Sequence, residues 1–288
     1  MRLLVTGGCG FVGNNFLRYV LQHYGPEMVT NVDALTTGRL VNVEGIAESY
    51  GERYEFLHAD VAEGEKIEAL MAKHQFFAVV HFALEGASTA ATSDLLNRAR
   101  HHGIRRVLLV SAVGASGNLA EAEKHALAAY REFGQEVVIA RATCSYGPFQ
   151  APTEWIPRII VSALRERPVT LGGDGSETRD WLHVEDLSAG LFTALLDGQP
   201  GKIYELRAGQ AVQDSDLAHQ ISDYLGKARD LVQFEGGTAE SPTRSGGDGA
   251  VAELPLAWKP RHQRDAALRE TIDWYVRNRE WWESVVTD

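Results

Sequence analysis

At 288 residues with a formal net charge of −11, the chain is long enough for one large core or two modest ones. It is too acidic to bind nucleic acid through a basic face. Its two cysteines, Cys9 and Cys144, exclude a disulfide framework and a four-cysteine zinc site, the sequence spacing points to no metal, and no apolar run approaches the roughly 20 residues that span a bilayer.

The chain opens on strand residues, with no basic segment or cleavage site, so the expected location is cytoplasmic, without membrane contact. Arg2–Thr6 is a short apolar strand that runs into a glycine-rich turn. Phe11, Phe16, Val20 and Leu21 then carry helical spacing across Phe11–His23. Met28–Val32, Tyr54–Leu57 and Ala78–Phe82 read as the next three strands. Asp94–His102 reads as a helix, Val107–Val110 as the fifth strand, Leu119–Phe133 as an alanine-rich helix and Val137–Ala140 as the sixth strand. Nearly all-apolar strands alternating with helices predict βαβ units, and hence an α/β fold with a Rossmann-type, doubly wound parallel sheet.

After about Gly147 the pattern changes. Pro148, Pro152 and Pro157 punctuate the chain, Ile159–Arg165 and Asp216–Tyr224 read as helices, and Arg264–Trp282 as one C-terminal helix with paired tryptophans. Gly172, Gly173 and Gly175, and the stretch Thr238–Gly249, read as loops. The expected division is a cofactor domain over 1–146 and a smaller C-terminal α/β substrate domain over 147–288, with some chain crossing back to the first.

Gly7, Gly10 and Gly13 stand at G-x-x-G-x-x-G spacing between the first strand and the first helix. Such a turn needs backbone angles that glycine alone adopts cheaply. Gly10 lets the backbone approach a pyrophosphate, and Gly13 lets the helix pack on the sheet. Phe11 and Val12 open the helix, whose N-terminal N–H groups and dipole suit phosphate. Asp33 closes the second strand, where a carboxylate accepts ribose hydroxyls and repels a 2′-phosphate, so NAD is expected over NADP. Asp60 and Val61 follow the third strand, where an adenine ring would lie.

The segments RLLVTGGCGFVGNNFLRYVL, Asp33–Thr36, His81-Phe82-Ala83, Tyr146-Gly147-Pro148-Phe149-Gln150, Gly173-Asp174-Gly175 and Arg179–Asp186 (RDWLHVED) resemble the extended short-chain dehydrogenases/reductases. Within that group the likeness is to dTDP-glucose 4,6-dehydratases, and it extends to Trp258-Lys259-Pro260 and the C-terminal tryptophans. The resemblance implies an NAD domain with Phe82, Ala83 and Ser111 beside the cofactor. It also implies a nucleotide-sugar domain in which Gln150, Arg179 and Arg244 meet the substrate. Arginine suits a diphosphate through its permanently charged planar fork; its alternative here is a pairing of Arg179 with Asp180 or Asp186. Family dimers pack the helices that correspond to Asp94–His102 and Leu119–Phe133, which leaves a homodimer open.

The departures concern catalysis. The family moves protons with a Tyr-x-x-x-Lys pair on one helix face, and none of the nine tyrosines here has lysine four residues on. With one turn lost, Lys124 falls at the lysine and Ala120 at the tyrosine. The family's Ser-Thr-Asp-Glu is Ser111-Ala112-Val113-Gly114, and its asparagine before Tyr-Gly-Pro is replaced in Cys144-Ser145. Ser111, Glu85, Lys124 and Cys144 remain as catalytic candidates. The bland readings are a buried apolar role for Cys144, a structural Glu85, a solvated Lys124 and a core histidine at His81. The expected protein is an atypical NAD-binding dehydratase/epimerase relative acting on a nucleotide sugar. The alternatives are a catalytically silent binder of NAD or of a partner, and a redox-neutral cyclase or lyase.

Overall fold

A computed structural model describes residues 1–82, 89–236 and 256–286, and the chain divides into two compact units. The first comprises Met1–Ala142, Leu187–Leu206 and Ser245–Lys259, and the second Thr143–Asp186, Arg207–Arg244 and Pro260–Asp288.

The first unit holds β1 (Arg2–Thr6), α1 (Phe11–His23), β2 (Met28–Asp33), α2 (Glu44–Tyr50), β3 (Tyr54–His58), α3 (Gly64–Lys73), β4 (Ala78–His81), α4 (Thr89–His101), β5 (Arg106–Ala112), α5 (Gly117–Phe133) and β6 (Glu136–Ala142). Seven strands form one sheet in the order β10-β6-β5-β4-β1-β2-β3, with β10 at Ile203–Leu206, and every pair in it is parallel. Leu3, Leu4 and Val5 are all fully buried although alternate residues point to opposite faces, so both faces are covered. One face packs Ile67, Leu70 and Met71 of α3, Leu95 and Leu96 of α4, and Ala122, Ala126 and Ala129 of α5. Helix α1 buries Phe16, Val20 and Leu21 of the stripe its sequence spacing predicts, with Leu17 added and Phe11 only half-buried. The strand order reverses between β1 and β4, and ligands of such sheets bind outside the carboxyl ends of strands at that point.

The second unit holds β7 (Cys144–Tyr146), α6 (Trp155–Leu164), β8 (Val169–Gly172), β9 (Thr178–His183), β11 (Ala211–Gln213), α8 (Asp214–Tyr224), β12 (Val232–Glu235), α9 (Arg264–Arg277) and α10 (Arg279–Glu283). Strands β11-β9-β7 form one small sheet, and β12 pairs in parallel with β8. Trp155, Ile159, Trp181, Ile221, Ile272, Tyr275 and Trp282 build its core.

Three differences from the sequence reading have local causes. Helix α6 starts at Trp155, because Pro157 sits in its first turn, where a missing N–H costs nothing. The C-terminal helix is two helices, broken at Asn278 (φ −108°, ψ 44°). Helix α7 (Val184–Asp197) was not foreseen: Val184-Glu185-Asp186 continues a strand motif, and the stretch after it is too uniformly apolar to show one face. The border between the units falls inside α7, at Asp186/Leu187. No helix among the described residues is long and apolar enough to cross a membrane.

Candidate functional site

The glycines of the β1–α1 turn are glycines for different reasons. Gly7 has φ +75° and donates its N–H to Val32 O at 2.8 Å. A Cβ on Gly13 would lie 2.3 Å from Gly7 O, and one on Gly8 2.2 Å from Asn31 Oδ1. Gly10 needs neither special angles nor protein clearance: its φ is −72°, and a Cβ would meet only Gly7 O at 3.4 Å. Glycine at 10 therefore leaves the backbone open to a group approaching from outside the protein, as a pyrophosphate would. Gly10 is the N-cap of α1, so no side chain caps the first N–H groups of Phe11 and Val12, and no acidic residue stands in that turn.

Asp33 is buried at the end of β2. Its Oδ2 accepts the Cys9 N–H at 2.8 Å and its Oδ1 the Leu35 N–H at 2.7 Å. Two N–H donors thus fix the carboxylate against the glycine turn, and each oxygen keeps acceptor capacity for a hydroxyl. Burial and the neighbouring Asp33 charge push the Cys9 thiol up to about 12, so this cysteine is inert. Asp60 closes its own turn, Oδ1 accepting the Ala62 N–H at 2.8 Å, and Val61 is buried beside it. Phe82 stacks on Phe16 at 5.4 Å between centroids. His81 is buried between the hydroxyls of Thr6 and Thr92, and burial pulls its pKa down to about 4. It is a neutral ring holding strands together.

The Ser111 Oγ, near the carboxyl end of β5, is buried and has no hydrogen-bond partner among the described residues. Lys124 is exposed on α5, its Nζ 2.6 Å from Glu121. The buried face of that helix carries Glu123 instead, which meets Arg141 of β6 through two contacts, Nε–Oε1 at 2.9 Å and Nη2–Oε2 at 2.6 Å. Sequence reasoning missed this ion pair, since nothing in the pattern of α5 marks a glutamate as buried.

In the second unit, Arg179 of β9 is buried over the Trp155 ring, with Nη2 2.9 Å from Asp214 Oδ2. The alternative read from the sequence was a pairing with Asp180 or Asp186. Asp180 instead accepts the N–H groups of Gly209 and Gln210, and Asp186 those of Arg261 and His262. Burial outweighs the attraction of Arg179 and pushes Asp214 up to about 6. Gln150 donates to Ser145 O at 3.0 Å, while its side-chain oxygen is buried with no hydrogen-bond partner among the described residues. Cys144 lies in the core of this unit. The fold also gathers residues that spacing did not connect: donor atoms of His183, Glu185 and His262 lie within 4.8 Å of one another. Asp186 and Glu185 hold the His262 imidazolium, raising its pKa to about 10, and burial beside His262 lowers His183 to about 4. The expectation of no metal site rested on sequence spacing, which does not connect residues this far apart in the chain. Ala83, Glu85 and Arg244 lie outside the described residues.

Comparison with known proteins agrees with this fold. Residues 119–206 match the NAD dependent epimerase/dehydratase family and residues 4–107 the GDP-mannose 4,6 dehydratase family. A dTDP-glucose 4,6-dehydratase of Streptomyces niveus is 30% identical over 98% of this chain and 95% of its own length. The dTDP-glucose 4,6-dehydratase 1 of Escherichia coli K12 is 26% identical over 99% of this chain and 95% of its own. Among solved structures, the Bacillus anthracis dTDP-glucose 4,6-dehydratase in complex with NAD superposes with a TM-score of 0.88 at 28% identity, covering 99% of this chain and 100% of that one. The Streptomyces venezuelae enzyme, with NAD and TYD bound, gives 0.89 at 28% identity over the same shares.

Proposed function

Because the chain belongs to the NAD dependent epimerase/dehydratase family, we propose that it is an enzyme that holds NAD at the glycine turn and acts on a nucleotide sugar, moving protons with residues other than a Tyr-x-x-x-Lys pair. The observation that carries this reading is Gly10, a glycine with no protein reason to be one, beside the fixed carboxylate of Asp33. Bound NAD supplies a hydride acceptor and donor. The N–H groups of Phe11 and Val12 hold the pyrophosphate, and Asp33 holds the ribose hydroxyls. The charge of Asp33 selects NAD over NADP, since a 2′-phosphate would meet a buried anion. Ser111 offers an uncommitted hydroxyl at the carboxyl end of β5 to orient the reacting groups. Gln150, Arg179 and Arg244 bind the substrate diphosphate and its surroundings. The names of the relatives make dTDP-sugars the first class to try.

Titration with NAD and NADP, followed by incubation with dTDP- and UDP-sugars and mass spectrometry of the products, tests this. NAD binding at least tenfold tighter than NADP, with turnover of one sugar class, is the expected result. Equal binding of the two cofactors, or of neither, overturns the cofactor assignment. A second reading, a silent NAD binder, is favoured by the exposure of Lys124 and the alanine at 120, and binding without turnover across the panel would select it.

A further inference from the structure

We propose that His183, Glu185 and His262 form a binding site for a divalent transition-metal ion, of which Zn²⁺ is the natural test, with Asp186 as the outer residue that orients His262. The three sit in the second unit, at the end of β9, in the first turn of α7 and just before α9, and their donor atoms fall within 4.8 Å of one another. Two imidazoles and one carboxylate match the ligand chemistry of zinc with an open coordination position.

Two details go beyond the clustering. His183 is buried, with 7% of the residue exposed, and its Nδ1 has no hydrogen-bond partner among the described residues. A buried, unpartnered ring nitrogen is costly, and a metal bond would give it a partner. His262, stacked on His183 at 4.5 Å between centroids, is oriented through its other nitrogen. Nδ1 makes a close ion-pair contact with Asp186 Oδ1 at 2.9 Å, without hydrogen-bond geometry, while Nε2 turns toward Glu185 at 3.5 Å. Asp186 is itself fixed by the N–H groups of Arg261 and His262 at 3.0 and 2.9 Å. A carboxylate on the far nitrogen of a histidine is the arrangement that fixes ring orientation in metal sites. Glu185 is exposed, so its carboxylate can swing the short distance that bonds of about 2.0–2.2 Å require. Glu185 and Asp186 together balance the charge of a dication.

Protein stripped with a chelator is titrated with Zn²⁺ by calorimetry and with Co²⁺ by visible absorption, and its unfolding is followed with and without Zn²⁺. One ion per chain, a tetrahedral cobalt spectrum and a rise in Tm of roughly 5 °C are expected. Glu185→Gln and His262→Gln should weaken binding about 10–100-fold and remove the rise, whereas His219→Gln on α8 should change neither. Glu185 is exposed, so its variant keeps the test valid if His183→Gln fails to fold. No saturable binding, or binding that Glu185→Gln and His262→Gln leave intact, overturns the proposal.

Discussion

Two buried arginines, one in each unit, face carboxylates in opposite ways. Arg141 meets Glu123 through two contacts at 2.9 and 2.6 Å, and the hydrogen bonds hold its guanidinium firmly charged. Arg179 meets Asp214 through one contact at 2.9 Å, and the other Asp214 oxygen is buried with no partner among the described residues. In the first pair the planar fork meets both carboxylate oxygens, while Arg141 Nη1 is buried with no hydrogen-bond partner among the described residues. The second leaves its carboxylate so poorly compensated that its pKa rises to about 6. A carboxylate met on both oxygens fits a structural role. One met on a single oxygen fits the proposal that Arg179 also serves an anion better placed than Asp214.

The comparison breaks most visibly at Glu123. Removing one partner of a completed buried pair leaves an unpaired charge, which costs about 3–5 kcal/mol. Glu123→Ala should therefore lower the urea midpoint by that equivalent, with the unfolding slope unchanged. A loss below ~1 kcal/mol would show that water reaches Arg141 and that the pair is no stronger than a surface bridge.

At Arg179 the expected effect moves from stability to binding. If its incomplete pairing serves a diphosphate, Arg179→Gln should weaken dTDP binding by about 1.5–3 kcal/mol, the worth of a charge-assisted hydrogen bond. Calorimetry with dTDP reads this directly, and unchanged affinity would return Arg179 to a structural role.

Asp214 separates the two pairs by pH. Its pKa of about 6 lies above the 3.8 of an ordinary aspartate, so the folded protein keeps a proton that the unfolded chain releases. Stability from this group is present below about pH 4, falls as pH rises to about 6, and is level above that. Discounted for partial solvation, the change is ~1–2 kcal/mol. Asp214→Asn should flatten that slope and, by removing a competing charge, tighten dTDP binding a few-fold. A slope that survives the substitution would assign the pH dependence elsewhere.

These pairs also mark where sequence reasoning ends. Gly7, Gly10, Gly13 and Asp33 were legible because a strand, a turn and a helix follow one another within a few residues, and local chemistry dictates each. Six of the seven strands of the large sheet were legible because burial on both faces leaves an apolar run, and β10, which joins from far along the chain, was not. Glu123 with Arg141, Arg179 with Asp214, and His183 with His262 were not, because each pairing is made by tertiary packing between elements remote in the chain. Glu123 stands one residue from Lys124, and only helix phase decides which of them is buried.

That phase yields the smallest prediction and the sharpest control on the other three. Lys124 falls at the family's lysine once a turn is taken as lost, yet it lies on the outer face of α5 with its ammonium 2.6 Å from Glu121 and its side chain 70% exposed. An exposed i,i+3 pair is worth a few tenths of a kcal/mol, because water screens the charges and holding both side chains costs entropy. Lys124→Met should therefore shift stability by less than ~0.5 kcal/mol and leave NAD affinity and any turnover as they are in the parent. The same Coulombic attraction is then present in three pairs with three expected outcomes: a structural clamp at Arg141, the proposed anion-binding reserve at Arg179 and almost nothing at Lys124. Burial and completeness of hydrogen bonding, rather than charge, set the order. A large loss of NAD affinity or turnover in Lys124→Met would reverse that order and place the lysine back in the catalytic machinery.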